Sequence, residues 1–214
     1  DGQSYTTAYK PPLSAALQVC GLQEIFVSSN AVGRPEYRYI PTADVSSDKS
    51  ATVAINVDGY EHKGVGFRGN VNLIWQAANP IIAEFNLRGI LTQENSVSRS
   101  TPTGLPTATP QRWIDSGSTI VASMAPVMQN LSFATGNTVL EQRASIASSA
   151  SGIGVVYLTE RAPGGSFDPE TTEPASFDFI RAFRSTSGMI MKLNAGVQAG
   201  LQFTLTASAV IPKT

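Results

Sequence analysis

Residues 64–89, GVGFRGNVNLIWQAANPIIAEFNLRG, constrain the fold more than any other stretch. Val65, Phe67, Val71, Leu73 and Trp75 share one parity, and Gly66, Arg68, Asn70, Asn72 and Gln76 share the other. Residues two apart lie on one face of a strand, so this period predicts a half-buried strand with Trp75 in the core. Asn79-Pro80 marks a turn, and a second β run from Ile81 to Leu91 follows it. No metal-ligand spacing and no nucleophile occurs here, so the stretch reads as architectural.

The same period recurs elsewhere. Ala51, Val53, Ile55 and Val57 alternate with Thr52, Ala54, Asn56 and Asp58. Near the end, Leu201, Phe203, Leu205, Ala207, Ala209 and Ile211 are expected on one face, with Met189, Met191, Leu193 and Ala195 as the partner strand across Gly196. Leu17–Cys20, Glu24–Val27, Tyr37–Ile40, 143–149 and 153–160 add shorter strand candidates. Residues 1–15 end in Tyr9-Lys10-Pro11-Pro12 and read as an extended arm, because proline disfavours helix on both sides of itself. Polar loops are expected at 44–50, 92–112 and 166–176, a turn at Pro163-Gly164-Gly165, one short helix within Arg112–Met124 and a helical turn at Asp178–Arg184. The long 92–112 loop, with three prolines, is expected on an outer surface. Eight to ten strands and few helices suit a two-sheet sandwich or jelly roll in one domain over residues 16–214.

Composition narrows the function. Charged residues make up 14% of the chain, against about 25% in an average protein. A surface so poor in charge suits cover by neighbouring subunits. The net charge of −1 leaves no electrostatic footprint for nucleic acid. A single cysteine, Cys20, excludes an intrachain disulfide framework. No apolar run reaches the roughly 20 residues of a membrane span, and the opening residues do not read as a signal peptide. A chain that opens on Asp1 rather than methionine suggests a fragment or an ordered core.

Candidate chemistry is sparse. Gly64-x-Gly66-x-x-Gly69 matches a dinucleotide fingerprint by letters, but a strand follows it where a helix is needed, so the glycines are assigned to a bend or close approach in a sheet. His62 is the only histidine and is read as a solvated loop residue despite Asp58 and Glu61 nearby. Asp168, Glu170 and Glu173 resemble a cation loop without EF-hand order. Asn130-Leu131-Ser132 is a glycosylation sequon. Trp113 could act as a sugar platform. No nucleophile elbow, zinc motif or cofactor motif is present, so neither catalysis, a metal nor a cofactor is expected.

Taken in order, several of these segments resemble the shell domain of nodavirus-type capsid proteins from small positive-strand RNA viruses. The resemblance lies in Tyr9-Lys10-Pro11-Pro12, Glu24–Val27, Gly33, Tyr37–Pro41, Asp44-Val45-Ser46-Ser47, Ala51–Val57, Phe67-x-Gly69, Val71–Trp75, Leu87-x-Gly89-Ile90-Leu91 and the closing pair Met189–Leu193 and Leu201–Ile211. It implies an all-β fold, an antiparallel eight-stranded jelly roll with long loops. It also implies self-assembly into an icosahedral shell around an RNA genome, commonly with three quasi-equivalent subunits (T=3), and residence in the virion. RNA would be held by a basic arm outside this sequence, and a host receptor would be a further partner. Where animal-infecting relatives carry an aspartate after Pro-Pro that promotes self-cleavage, this chain has Leu13, so shell assembly carries over and maturation cleavage does not. Asp44 matches a carboxylate that the family uses at calcium-bridged subunit contacts, but the partner position is Arg88. Those two residues are the candidate subunit contact, as a direct ion pair in place of a metal bridge. The alternative is a carbohydrate-binding sandwich, a fibre head or lectin-like domain, with the 92–112 and 161–176 loops as its reading surface.

Overall fold

The computed structural model describes residues 10–29, 35–42, 48–96, 112–113, 120–121, 127–143, 152–170, 178, 181, 184, 188–196 and 202–211. Their strands are β1 (Leu22–Val27), β2 (Glu36–Pro41), β3 (Ala51–Val57), β4 (Tyr60–Gln76), β5 (Ile82–Ser96), β6 (Ile120–Val121), β7 (Met128–Ala134), β8 (Asn137–Arg143), β9 (Ile153–Arg161), β10 (Gly164–Pro169), β11 (Met189–Ala195) and β12 (Phe203–Val210). One short helix, α1, covers Ser14–Val19. The fold is all-β with antiparallel sheets, as the alternating pattern predicts. The described residues divide into two units, one within Asp1–Asn72, Glu84–Ala108 and Ala134–Gly164, the other within Leu73–Ala83, Thr109–Phe133 and Gly165–Thr214. β4 and β5 run through both.

In the first unit, β1 pairs with β2, β3 and β5 pair with β4, and β8 pairs with β9. The β3–β4 hairpin closes on Asp58-Gly59, both with positive φ (48° and 84°) between the paired residues Val57 and Tyr60. That is the type I′ turn whose twist matches the flanking strands. Farther along the hairpin the register slips, with Ala51 opposite Phe67 but Val53 opposite Gly64. Gly66 (φ 70°) stands in the extra residue of this bulge on β4. A Cβ at Gly69 would overlap the Asn86 carbonyl oxygen on β5, and Gly64 and Gly89 both lie against the ring of Phe67. The three glycines of the apparent fingerprint thus serve a bulge and close strand approach. The core of this unit holds Leu17, Val19, Cys20, Val71, Val156 and Leu158.

In the second unit, β10 pairs with β7, β7 with the end of β4, and β11 lies between β12 and β6. Trp75 is 1% exposed, and its ring centroid lies 5.8 Å from that of Phe203. Met189, Met191, Leu193 and Ala195 are all buried, on the single face predicted for them.

Several expectations need correction. Leu17–Cys20 is not a strand, and the arm does not stay extended to residue 15. Ser14–Val19 is helical because Ala15, Ala16, Leu17 and Gln18 favour helix and Pro11-Pro12 precede its first turn. Gly21 (φ 76°) ends the helix, donating its N–H to Gln18 O at 3.1 Å. The expected helix within Arg112–Met124 is absent at its described residues. Arg112 bridges Pro80, and Ile120–Val121 pairs with β11. Strand structure continues to Ser96, five residues into the expected 92–112 loop, while 97–111 lie outside the described residues. β10 occupies the expected turn and the first part of the 166–176 loop, because Gly165 lets the backbone approach Ser132 closely. Finally, a bulge between Met189 and Met191 brings Val210 rather than Ala209 to the covered face of β12 and leaves Ile211 exposed.

Residues 43–47, 144–149 and 171–177 fall outside the described residues, and with them most of the 44–50 loop, the 143–149 strand and the 166–176 loop. At 178–184, Arg181 and Arg184 are helical, and Asp178 Oδ1 accepts the Arg181 N–H at 2.8 Å.

Candidate subunit interface

The first unit carries most of the exposed apolar surface. Ten of the fourteen large apolar residues exposed among the described residues belong to it, and four to the second unit. Eight of the ten sit on three antiparallel ribbons, β1–β2, β3–β4 and β8–β9, of which β3–β4 belongs to a larger sheet with β5 on its other side. At the free end of the β3–β4 hairpin, Val57 pairs with Tyr60 and Ile55 with His62, which puts these four side chains on one face. Ile55, Val57 and Tyr60 are 54%, 55% and 57% exposed. On β8–β9, Leu140 stands opposite Tyr157 and Gln142 opposite Val155, while Val156 and Leu158 turn inward. Tyr157 Oη donates to Gln142 Oε1 at 2.9 Å, so the outer face carries one polar bond among exposed Leu140, Val155 and Tyr157. On β1–β2, exposed Phe26 packs on Tyr37 with ring centroids 5.2 Å apart.

Buried polar groups hold these ribbons in place. Asp48 is almost fully buried and receives Arg161 Nη2 and, at 2.8 Å, Thr42 Oγ1. Arg161 Nη1 also donates to Thr42 O. Arg68 bridges Val156 O (2.7 Å) and Asp48 O (3.1 Å), tying β4 to β9. Asn137 Nδ2 donates to Cys20 O (2.7 Å) and Gly69 O (2.8 Å), while its backbone N–H reaches Asn70 Oδ1 at 2.5 Å. These residues were not singled out from the sequence. Asp48, Asn137 and Arg161 lie at or beside strand ends and carry no periodic signal, and apart from Thr42–Asp48 the partners are 20 to 119 positions apart.

A second polar cluster anchors α1 to β1. Glu24 accepts from Lys10 Nζ (2.8 Å), Tyr39 Oη (2.9 Å) and Ser14 Oγ. Burial alone would raise the Glu24 pKa, but these donors and the Lys10 charge outweigh it and bring it down to about 2. Burial, and after it the neighbouring Glu24 carboxylate, pushes the Tyr39 hydroxyl up to about 12. Burial also pushes the Cys20 thiol up to about 12, which leaves it unreactive.

Of the two residues proposed from sequence as a subunit contact, Asp44 lies outside the described residues. Arg88 stands on the exposed face of β5 and meets Glu141 of the same chain at 3.3 Å. His62 is not in a loop as expected; it is half-buried within β4. Asp168 lies on β10 and accepts from the N–H groups of Gln129 (3.1 Å) and Asn130 (2.5 Å) and from Asn130 Nδ2 (2.8 Å). Burial opposes its ionisation, yet these donors lower its pKa on balance. The carboxylate therefore joins β10 to β7, and Glu173 lies outside the described residues. No cluster of three or more metal-ligating side chains occurs among the described residues. No helix is long and apolar enough to cross a membrane, again among the described residues.

A shallow groove of about 320 Å³ lies beside β4 and β5, lined by Asn70, Asn72, Glu84, Phe85 and Asn86 among others. Asn72 Nδ2 donates to Glu84 Oε2 at 3.3 Å across it. Comparison of the chain with protein-family models, curated proteins and solved structures gives no match.

Proposed function

We propose that this chain is a non-enzymatic coat protein of a small RNA virus, similar to the nodavirus type. Its strands would form an eight-stranded jelly roll that self-assembles into an icosahedral shell and resides in the virion. One observation carries the reading: three ribbons of the first unit present Phe26, Ile55, Val57, Tyr60, Leu140, Val155 and Tyr157 to solvent. Exposed apolar surface of this kind marks contact with other proteins. The low charge content supports the same reading, since the centres of subunit interfaces are depleted in charge. Genomic RNA and a host receptor are the remaining partners of such a shell. Closed symmetry would limit its growth. Electron microscopy of the purified protein tests the proposal. Closed spherical particles are expected, and small discrete oligomers at every concentration would overturn it.

A second reading, carbohydrate binding, draws on the groove beside β4 and β5. Asn72, Glu84 and Asn86 offer amide and carboxylate groups of the kind that hold sugar hydroxyls. Binding on a glycan array that is lost in Asn86→Ala, without particle formation, would favour this reading over the first.

A further inference from the structure

β2 is paired on one side only: among the described residues its partner is β1. Thr42, next in register, donates its N–H to Gly21 O at 3.1 Å, which makes Gly21–Thr42 a hydrogen-bonded pair. Such pairs recur at every second residue, so Ile40, Arg38 and Glu36 turn their backbone groups toward β1. Pro41, Tyr39, Tyr37 and, by the same alternation, Pro35 turn theirs outward. The prolines, which have no N–H to give, thus fall on the outward side and guard the two ends of this edge. Between them Tyr37 and Tyr39 offer both backbone groups, so an added strand must centre near these two. Among the side chains, Glu36 and Arg38 share one face, and Tyr37 on the other packs against exposed Phe26.

We infer that this edge is completed by β2 of a second copy of the chain, running antiparallel about a two-fold axis at Tyr37. The inference rests on the self-association proposed above and names one of its contacts. Axes at Tyr37, Arg38 and Tyr39 all give the same number of backbone hydrogen bonds between residues 35 and 41, so charge decides among them. An axis at Arg38 sets arginine directly opposite arginine. An axis at Tyr39 sets Arg38 opposite Ile40 and Glu36 opposite Thr42. An axis at Tyr37 sets Glu36 opposite Arg38 of the second copy and Arg38 opposite its Glu36, on one face of the sheet. Arg38 Nε is engaged with Glu36 of its own chain, and among the described residues its Nη groups hold no bond. A carboxylate accepts several donors at once, so Glu36 keeps its present contacts and gains this one. On the opposite face the same axis brings Tyr37 beside Tyr37 of the second copy. The two Phe26–Tyr37 pairs then form one aromatic row across four strands.

Cysteine pairing reads the axis directly. The two copies of position 37 would form a hydrogen-bonded pair with Cα atoms about 5.5 Å apart, within disulfide range. Tyr37→Cys, mildly oxidised, should give a covalent dimer on a non-reducing gel. Arg38→Cys should not, because the axis leaves the two copies of position 38 two residues out of register. Cys20 does not compete, being buried and unreactive. A dimer from Arg38→Cys, or none from Tyr37→Cys, would overturn the inference. A second arm tests the ion pairs. Glu36→Lys, added to Tyr37→Cys, makes both charged positions positive, and Arg38→Glu, added likewise, makes both negative. Each chain alone should lose most of the covalent dimer, and an equal mixture should restore it as a mixed dimer. An undiminished dimer from either chain alone would also overturn the inference. Closed particles from Tyr37→Cys without the disulfide would reject this contact and leave the shell reading standing. The disulfide in a discrete dimer, with no particles at any concentration, would keep the contact and reject the shell.

Discussion

Glu24 gathers four side-chain donors, Ser14 and Gln18 from α1, Tyr39 from β2 and Lys10 from the segment before α1, and the strength of that cluster is visible in its acidity. A carboxyl whose pKa falls on folding stabilises the folded state at every pH above its unfolded value, and that contribution disappears as pH drops through the folded value. For Glu24 the window runs from an unfolded value of about 4.3 down to a folded value of about 2. Glu24→Gln should therefore lower the urea midpoint at pH 7 and flatten the loss of stability on going to pH 3. An unchanged slope would show that the cluster does not stabilise the fold. Asp48 and Arg88 make a sharper contrast. Asp48→Ala leaves the Arg161 guanidinium buried without its counter-charge, a loss of about 3–5 kcal/mol. Arg88→Ala removes a pair whose arginine is 60% exposed, worth less than about 1 kcal/mol. Denaturant titration of the two variants side by side measures the difference.

At the scale of elements, the glycines of β4 differ in what they tolerate. Gly69→Ala should prevent folding or cost several kcal/mol, because the new Cβ meets the Asn86 carbonyl on a paired strand, where neither backbone can yield. Gly66 has open space around it and a positive φ, so Gly66→Asn should cost about 1 kcal/mol or less. Thermal melts of both variants check this ordering. Legible from sequence were β3, β4, β11 and the first part of β12, whose apolar residues repeat every second position, and β1, β2, β5 and β9, which read as shorter β runs. β7 and β8 were missed because MQNLSFA and NTVLEQR mix polar residues into both faces. β10 was missed because Gly164-Gly165 signals a turn, while its pairing depends on contact with Ser132 and Asn130. The end of α1 reads as a strand over Leu17–Cys20 because Leu17 and Val19 are two apart, a spacing that masks the helical preference of Ala15 and Ala16. The candidate interface was only half legible. Alternation shows that Val53, Ile55 and Val57 share a face, but not that Val53 is partly covered while Ile55 and Val57 stand free.

For the whole molecule, the shell reading makes two statements about chemistry. Leu13 precedes α1, 47% exposed, and supplies no group able to move a proton, so aged particles should show a single band on denaturing gels. A second band growing with time would refute this. Arg88, engaged with Glu141, offers a cation where a calcium bridge would need a carboxylate, so particles should survive a calcium chelator intact by light scattering. The positions of the two tryptophans bear on how the chain unfolds. Trp75 and Trp113 both belong to the second unit, and the first unit contains no indole. Fluorescence on unfolding therefore reports one half of the protein, while far-ultraviolet circular dichroism reports the strands of both. Since β4 and β5 supply backbone to each half, the two signals should change at the same temperature. A separation between them would reveal that one half can melt while the other stays folded.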